Sequence, residues 1–179
     1  SDRGLAHALA ATVMRRRGTI DHVIGLHIDR PIPKRSARAT DVLRLAAAQS
    51  LFLKTPDHAV VSTAVALAQE FRETAGYSGL VNAVARKIAK AGDESIAGLP
   101  ERTDTPGWMW RGWERNFGAE TARAIAKAHQ KEAAIDLTAR TPGGGETLAE
   151  TVHGELLPTG SVRINAGTRL TVLAGYDEG

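Results

Sequence analysis

The chain has 179 residues, 42% hydrophobic and 24% charged, the balance of a soluble globular protein rather than a disordered one. It contains no cysteine, which excludes disulfides, thiolate metal sites and a cysteine nucleophile. No apolar run approaches the roughly 18–20 residues of a membrane span, so a cytoplasmic, metal-free protein is the expectation.

The net charge of +3 hides an asymmetry, with 14 Lys and Arg against 7 Asp and Glu over residues 1–92, and 9 against 13 over residues 93–179. A basic half suggests a polyanionic partner, nucleic acid first among them.

In chain order, "DRGLAHALAATVMRR" predicts a helix with an apolar stripe of Leu5, Leu9, Val13 and Met14, ended by Gly18. "TIDHVIGLHID" predicts a shorter helix before the breaker "RPIP", and "ATDVLRLAAAQSLFL" a long one whose alanines allow close neighbours. In "TPDHAVVSTAVALAQEF", Thr55 suits an N-cap and Pro56 the first helical position, with Val61, Ala64, Val65, Ala68 and Phe71 on the buried side. "YSGLVNAVARKIAKAG" has Ser78 as cap, Leu80, Val84 and Ile88 as stripe, and Gly92 as stop, while Asn82 suits a buried hydrogen bond to a turn. Residues 1–92 therefore read as a helical bundle. A polar linker, "DESIAGLPERTDTP", precedes two short helices separated by Gly118. Beyond them "AIDLTAR", "SVRIN" and "LTVLAG" alternate as strands and "GETLAETVHGE" reads as a helix, a partial β-α-β-β element over residues 132–179.

Few motifs carry chemistry. Gly143 to Gly145 lie between a strand and a helix, an order able to cradle phosphate, but they match neither G-x-G-x-x-G nor a P-loop and read as a loop. The six histidines form no metal pair, His22 and His27 being five apart, and Glu146, Glu150 and Glu155 read as solvated surface. No catalytic, cofactor or metal residue is assigned. Three basic clusters are the candidates for holding RNA phosphates if they converge on one face, and merely solubilise if they scatter: Arg15, Arg16 and Arg17 at a helix end; Lys34, Arg35 and Arg38 in a loop; Arg86, Lys87 and Lys90 on one helix. For the first, a favourable interaction with the helix dipole is the alternative. All three tryptophans fall in "PGWMWRGWERNFG", and their spacing favours a packing clamp over a base-stacking platform.

"RGLAHALAATVMRRRGTIDHVI", "VLRLAAAQSLFLKTPDHAVVSTAVALAQ" and "GLVNAVARKI" together resemble the NusB-like helical domain at the front of the Sun/Fmu (RsmB-type) bacterial rRNA cytosine-C5 methyltransferases. "PGWMWRGWERNFG" places Trp108, Trp113, Phe117 and Gly118 on that family's matching positions, and "IDL" and "LLPTGSVRINAGTRLTVLAGYDEG" follow as in the family. Two departures stand out. Thr138, Ala139 and Arg140 replace the Arg-Val-Asn that many members carry, and Trp110 replaces an aliphatic residue.

The resemblance implies a mainly α fold. A NusB-like bundle over residues 1–92 would be followed by linker and Trp-rich helices over 93–131 and a small RNA-recognition-like α/β element. It implies an RNA-engaging N-terminal region that binds small-subunit rRNA without catalysis, with the first NusB helix absent. S-adenosylmethionine would be needed only by a catalytic domain downstream. A protein partner for the bundle, as in antitermination, is the other expectation.

Overall fold

Six helices of unequal length follow one another, and the segment after them is stitched back chiefly by one carboxylate. A computed structural model describes residues 2–173, 175 and 176, which fall into two compact units, residues 1–130 and 131–179. The first contains α1 (Asp2–Arg15), α2 (Arg17–Gly25), α3 (Ala37–Leu51), α4 (Asp57–Glu70), a single turn α5 (Arg72–Ala75), α6 (Ser78–Ala91) and α7 (Gly107–His129), which is broken at Gly118. Short 3-10 turns span Lys34–Ser36, Gly92–Ile96 and Glu101–Asp104.

The core is built by α2, α3, α4 and α6. Ile20, Val23 and Ile24 meet Val42, Leu43, Ala46, Ala47 and Leu51, which in turn meet Val60, Ala64, Val81, Val84, Ala85 and Ile88. The alanine-rich middle of α3 makes it the hub, touching α1, α2, α4 and α6, because a methyl side chain lets helix axes approach closely.

Two apolar stripes are rotated from expectation. Leu9 and Val13 of α1 pack on the core and Thr12 is buried, but Leu5 and Met14 are exposed (55% and 72%). They are nine residues apart, two and a half turns at 3.6 residues per turn, and so occupy opposite faces. On α4, Ala64 and Ala68 are buried as expected, but Val60 leads the face and Phe71 lies beyond the helix end, in extended backbone. Val60, Ala64 and Ala68 recur every four residues on the core face, whereas Val61 and Val65, a step of about 100° round the helix, line an open groove. Pro56, not Thr55, occupies the cap position, and its carbonyl accepts the N–H groups of Ala59 and Val60. At the far end the buried Thr74 hydroxyl donates to the carbonyls of Ala68 (2.6 Å) and Phe71 (3.1 Å), satisfying α4 at its last turn.

Gly18 does not end α1. The break falls at Arg16, and Gly18 lies in the first turn of α2, where a Cβ would come within 1.8 Å of the Thr103 carbonyl oxygen. That close approach seats Asp104 against the start of α2. Its carboxylate accepts the Thr19 N–H (2.7 Å) and the Thr19 hydroxyl (2.9 Å), and the Arg16 guanidinium lies 3.4 Å away. Asp104 thus performs the capping that no residue next to α2 supplies. The expected polar linker is held down along its length: Asp93 pairs with Lys54, and Ile96 packs on the core.

In the second unit, β1 (Ile135–Leu137), α8 (Gly145–Val152), β2 (Glu155–Leu156) and β3 (Val162–Ile164) form an antiparallel sheet in the order β1-β3-β2, with α8 packed on it. Val162 and Ile164 are buried, whereas Arg163 points out and holds Asp136 across the sheet with two hydrogen bonds of 2.7 and 2.8 Å. That guanidinium holds the Asp136 carboxyl below its usual range. The expected strand "LTVLAG" is instead a 3-10 turn at Leu170–Val172, with Ala174 outside the described residues. A strand needs a hydrogen-bonding neighbour, and this segment has none among the described residues. β2, only two residues long, has no sequence signature. The whole is mainly helical with one small antiparallel sheet.

The cap and a part-buried imidazole can each be tested. Asp104→Ala strips the cap from α2 and leaves the Arg16 guanidinium without its carboxylate, so urea denaturation should report a loss of about 2–3 kcal/mol, whereas Asp104→Asn keeps part of the cap and loses less. His27 tests the pH dependence. Its Nε2 is buried without a partner among the described residues, and burial, then the charge of Lys87, hold its pKa below the ordinary 6.5. Below that pH the unfolded chain binds the proton more readily than the folded one, so the contribution of His27 is present above pH 6.5 and is lost as pH falls toward its lowered value. Melting temperatures measured between neutral and mildly acid pH should fall more for the wild type than for His27→Leu; equal falls would remove His27 as the cause.

Candidate nucleic-acid interface

The basic residues singled out from the sequence have different surroundings. Along α6, Asn82, Arg86 and Lys90 recur every four residues on one face, and Arg86 Nε donates to Asn82 Oδ1 at 3.1 Å, which steadies the guanidinium. Asn82, expected to bond a turn, serves this arginine instead. The three residues line one wall of an open groove of about 880 Å³ whose other wall is α4, with Asp57 and His58 at one end, Gln69 at the other, and Val61, Val65 and Ala89 as floor. Lys87 lies off this wall, near enough to His27 for its charge to act on the imidazole. None of Arg86, Lys87 and Lys90 has an ion pair among the described residues.

Lys34 and Arg35 lie in the turn Lys34–Ser36, anchored by the buried Ser36. Arg38, one helical step later, is held by Glu73 (2.8 Å) and covers the Phe71 ring at 5.2 Å. The arginine run 15–17 is split three ways. Arg15 borders a depression of about 200 Å³ shared with Met109, Trp113 and His129. Arg16 turns inward, to Asp104 and to the Phe52 ring at 4.8 Å, with a buried Nε that has no partner among the described residues. Arg17 lies 3.7 Å from Asp21, whose carboxylate is already taken by two hydrogen bonds (2.6 and 2.9 Å) from Arg44. A run of three like residues at a helix junction is fanned out by the step of about 100° between neighbours, so adjacency in sequence is not adjacency on a surface.

The tryptophans divide as well. Trp110 is buried and packs with Trp113 against Ala122 and Ala126, because Gly118 (φ 79°) breaks α7 and lets its second half fold back on the first. Arg102 covers Trp110 at 5.9 Å, and the His129 ring meets Trp113 edge-on at 5.0 Å. These two are the clamp. Trp108 and Phe117 are not part of it and stand 67% and 58% exposed. Beside Trp108 lie Arg111 and Arg115, which belong to no basic run in the sequence, although their spacing of three and seven from Trp108 marks one helix face.

The glycine-rich turn before α8 borders an open depression of about 450 Å³, with Thr141, Glu146 and Thr159 among its lining. A Cβ on Gly144 would come within 2.8 Å of Thr141 Oγ1, and one on Gly145 within 2.8 Å of the Gly160 carbonyl, so both glycines make room for the unit's own loops. The sheet behind it is three-stranded and antiparallel, unlike the parallel sheets whose strand ends hold nucleotide cofactors. Among the described residues no three His, Asp or Glu gather to hold a metal, and no helix is long and apolar enough to cross a membrane.

Comparison with known proteins agrees with the architecture. The chain is 27% identical, over 99% of its own length and 41% of the relative's, to the ribosomal RNA small subunit methyltransferase B of Xanthomonas campestris pv. campestris. It is 33% identical to the protein of that name from Thermus thermophilus, over 77% of this chain and 32% of the relative. The probable ribosomal RNA small subunit methyltransferase B of Synechocystis sp. is 28% identical over 99% of this chain and 44% of its own length. The chain thus spans less than half of the length of these curated relatives. No solved structure matches it. Residues 1–90, the span of the bundle with its α2–α3–α4–α6 core, match the model of the NusB family, and the chain belongs to that family.

Proposed function

We propose that this chain is the RNA-binding region of an S-adenosylmethionine-dependent rRNA (cytosine-C5) methyltransferase. It binds and orients small-subunit rRNA in the cytoplasm for a catalytic domain that holds the cofactor, and performs no methyl transfer itself. The observation that carries this reading is the alignment to a ribosomal RNA small subunit methyltransferase B through 99% of the chain, NusB-like bundle and small sheet together. The cationic groups support it: Lys34, Arg35, Arg86, Lys87 and Lys90 have no ion pair among the described residues, which leaves their charge for phosphates. Helical RNA presents a deep, narrow major groove that side chains do not enter, so such a surface reads backbone and shape rather than base edges.

A second reading, a protein-interaction module of NusB type, is favoured by the apolar floor of the α4–α6 groove. The two separate by salt. Titration with a small-subunit rRNA hairpin should give an affinity that falls steeply as salt rises. Reversing Arg86 and Lys90, or Lys34 and Arg35, to glutamate should weaken binding and flatten the slope by roughly 0.7–0.9 for each phosphate left without its cation. Arg15 and Arg17 test the same idea at the α1–α2 junction. Arg16 does not, because reversing it would put a second carboxylate against Asp104 and report unfolding. No binding even at low salt would overturn the RNA reading in favour of the groove.

A further inference from the structure

The geometry points to Trp108 as a stacking platform for an unpaired RNA base, with Arg111 and Arg115 gripping the phosphates beside it. The inference rests on the RNA-binding reading above and adds to it a residue, a contact type and a substrate form: RNA with a single-stranded segment.

Trp108 stands apart from the packing that occupies its two neighbours in the same helix. Trp110 is buried to 8% exposure against Ala122 and Ala126, and Trp113 packs on the same cluster and on His129. Trp108 is 67% exposed. It lies two residues before Trp110, a rotation of about 200°, so the face that carries Trp108 is turned away from the one that closes the clamp. Among the described residues no packing cluster uses this indole, and an exposed tryptophan leaves a large apolar surface in water.

Its setting is cationic. Arg111 and Arg115, one and two turns along the same face, line a shallow depression with Trp108 and Glu114, and all four side chains are exposed. Neither guanidinium has an ion pair among the described residues, so two positive charges stand against the single carboxylate of Glu114. Gly107 makes room for this arrangement. Arg111 Nη1 lies 3.3 Å from the point a Cβ on Gly107 would occupy, so the guanidinium folds back along the first turn of α7, beside Trp108.

The chemistry of the patch selects its occupant. An apolar protein surface laid over Trp108 would strip water from two guanidinium groups and return no counter-charge, a cost that desolvation makes prohibitive. A single-stranded segment supplies both halves at once: a flat base for the indole face and the phosphates on either side of it for the two arginines. Base–aromatic stacking requires a base that is not already sandwiched in a helix, which restricts the site to loops, bulges and tails. Stacking is also tolerant of base identity, so the site discriminates unpaired from paired RNA rather than one sequence from another.

The test uses the whole chain and two RNAs, a small-subunit rRNA hairpin with an unpaired tail and the same hairpin without it. For the tailed RNA, Trp108→Ala should weaken binding roughly 5- to 150-fold, the range of one lost base–aromatic stack, with the salt slope unchanged because every phosphate keeps its cation. Trp108→Phe should recover most of the affinity, and Arg111→Glu with Arg115→Glu should flatten the slope. Binding of the tailed RNA should also quench a component of the tryptophan emission that is missing in Trp108→Phe. Phe117→Ala, an exposed aromatic outside the patch, should change nothing. If the wild type binds both RNAs and Trp108→Ala binds them as tightly as the wild type, stacking is overturned while the RNA reading stands. If the wild type binds neither RNA, both are overturned together.

Discussion

One buried carboxylate determines how the first unit closes. Asp104 reaches back 85 residues to the start of α2, caps it through Thr19 and neutralises Arg16, with its side chain only 5% exposed. Everything between Gly92 and the Trp-rich helix is positioned by this contact together with the shorter anchors at Asp93 and Ile96. It works only because Gly18 has no side chain: the Thr103 carbonyl occupies the space a Cβ would need, and the carboxylate comes with it. The glycine, the aspartate and the arginine form one device, and none of the three is interpretable alone.

That device explains which parts of the molecule could be read from sequence. The helices of the bundle were legible because their apolar residues recur with the helical period and their ends carry glycine or proline, as at Gly92 and Pro56. The break at Gly118 was legible for the same reason. On α4 apolar residues stand at both Val60 and Val61, so the pattern alone does not say which of the two leads the buried face. Gly18 looked like a stop because a glycine after a helical run usually is one; its true partner is far away in sequence, and no local pattern encodes it. The short strand β2 and the turn at Leu170–Val172 depend on which neighbours are available to pair, which is again non-local.

The candidate site shows the same limit in its charges. A run such as Arg15–Arg16–Arg17 looks like a basic cluster on paper, yet its members face a depression at Met109, a buried carboxylate and a helix-surface aspartate in turn. Periodicity is the better guide: Asn82, Arg86 and Lys90 share a groove wall because four-residue spacing keeps them on one face, and Trp108, Arg111 and Arg115 share theirs for the same reason. The aromatic cluster was divided by this rule too. Whether an indole clamps or presents itself is set by its angle around α7 relative to Ala122 and Ala126; the spacing of the tryptophans pointed to a clamp and did not single out Trp108 as the one outside it.

The break at Gly118 has a bearing on motion. Trp110, Trp113, Ala122 and Ala126 form a cluster separate from the main core, and it is small. A cooperative unit with so little buried surface is expected to open at a lower free energy than the α3–α4–α6 centre, so that amide protons along residues 107–129 would exchange through local excursions that leave the bundle intact. The two halves of the α7 hairpin are joined at Gly118 and closed by that cluster alone among the apolar clusters of the described residues. A ligand that prefers the closed hairpin draws it shut by mass action, and its apparent affinity is set partly by how often the hairpin is already closed.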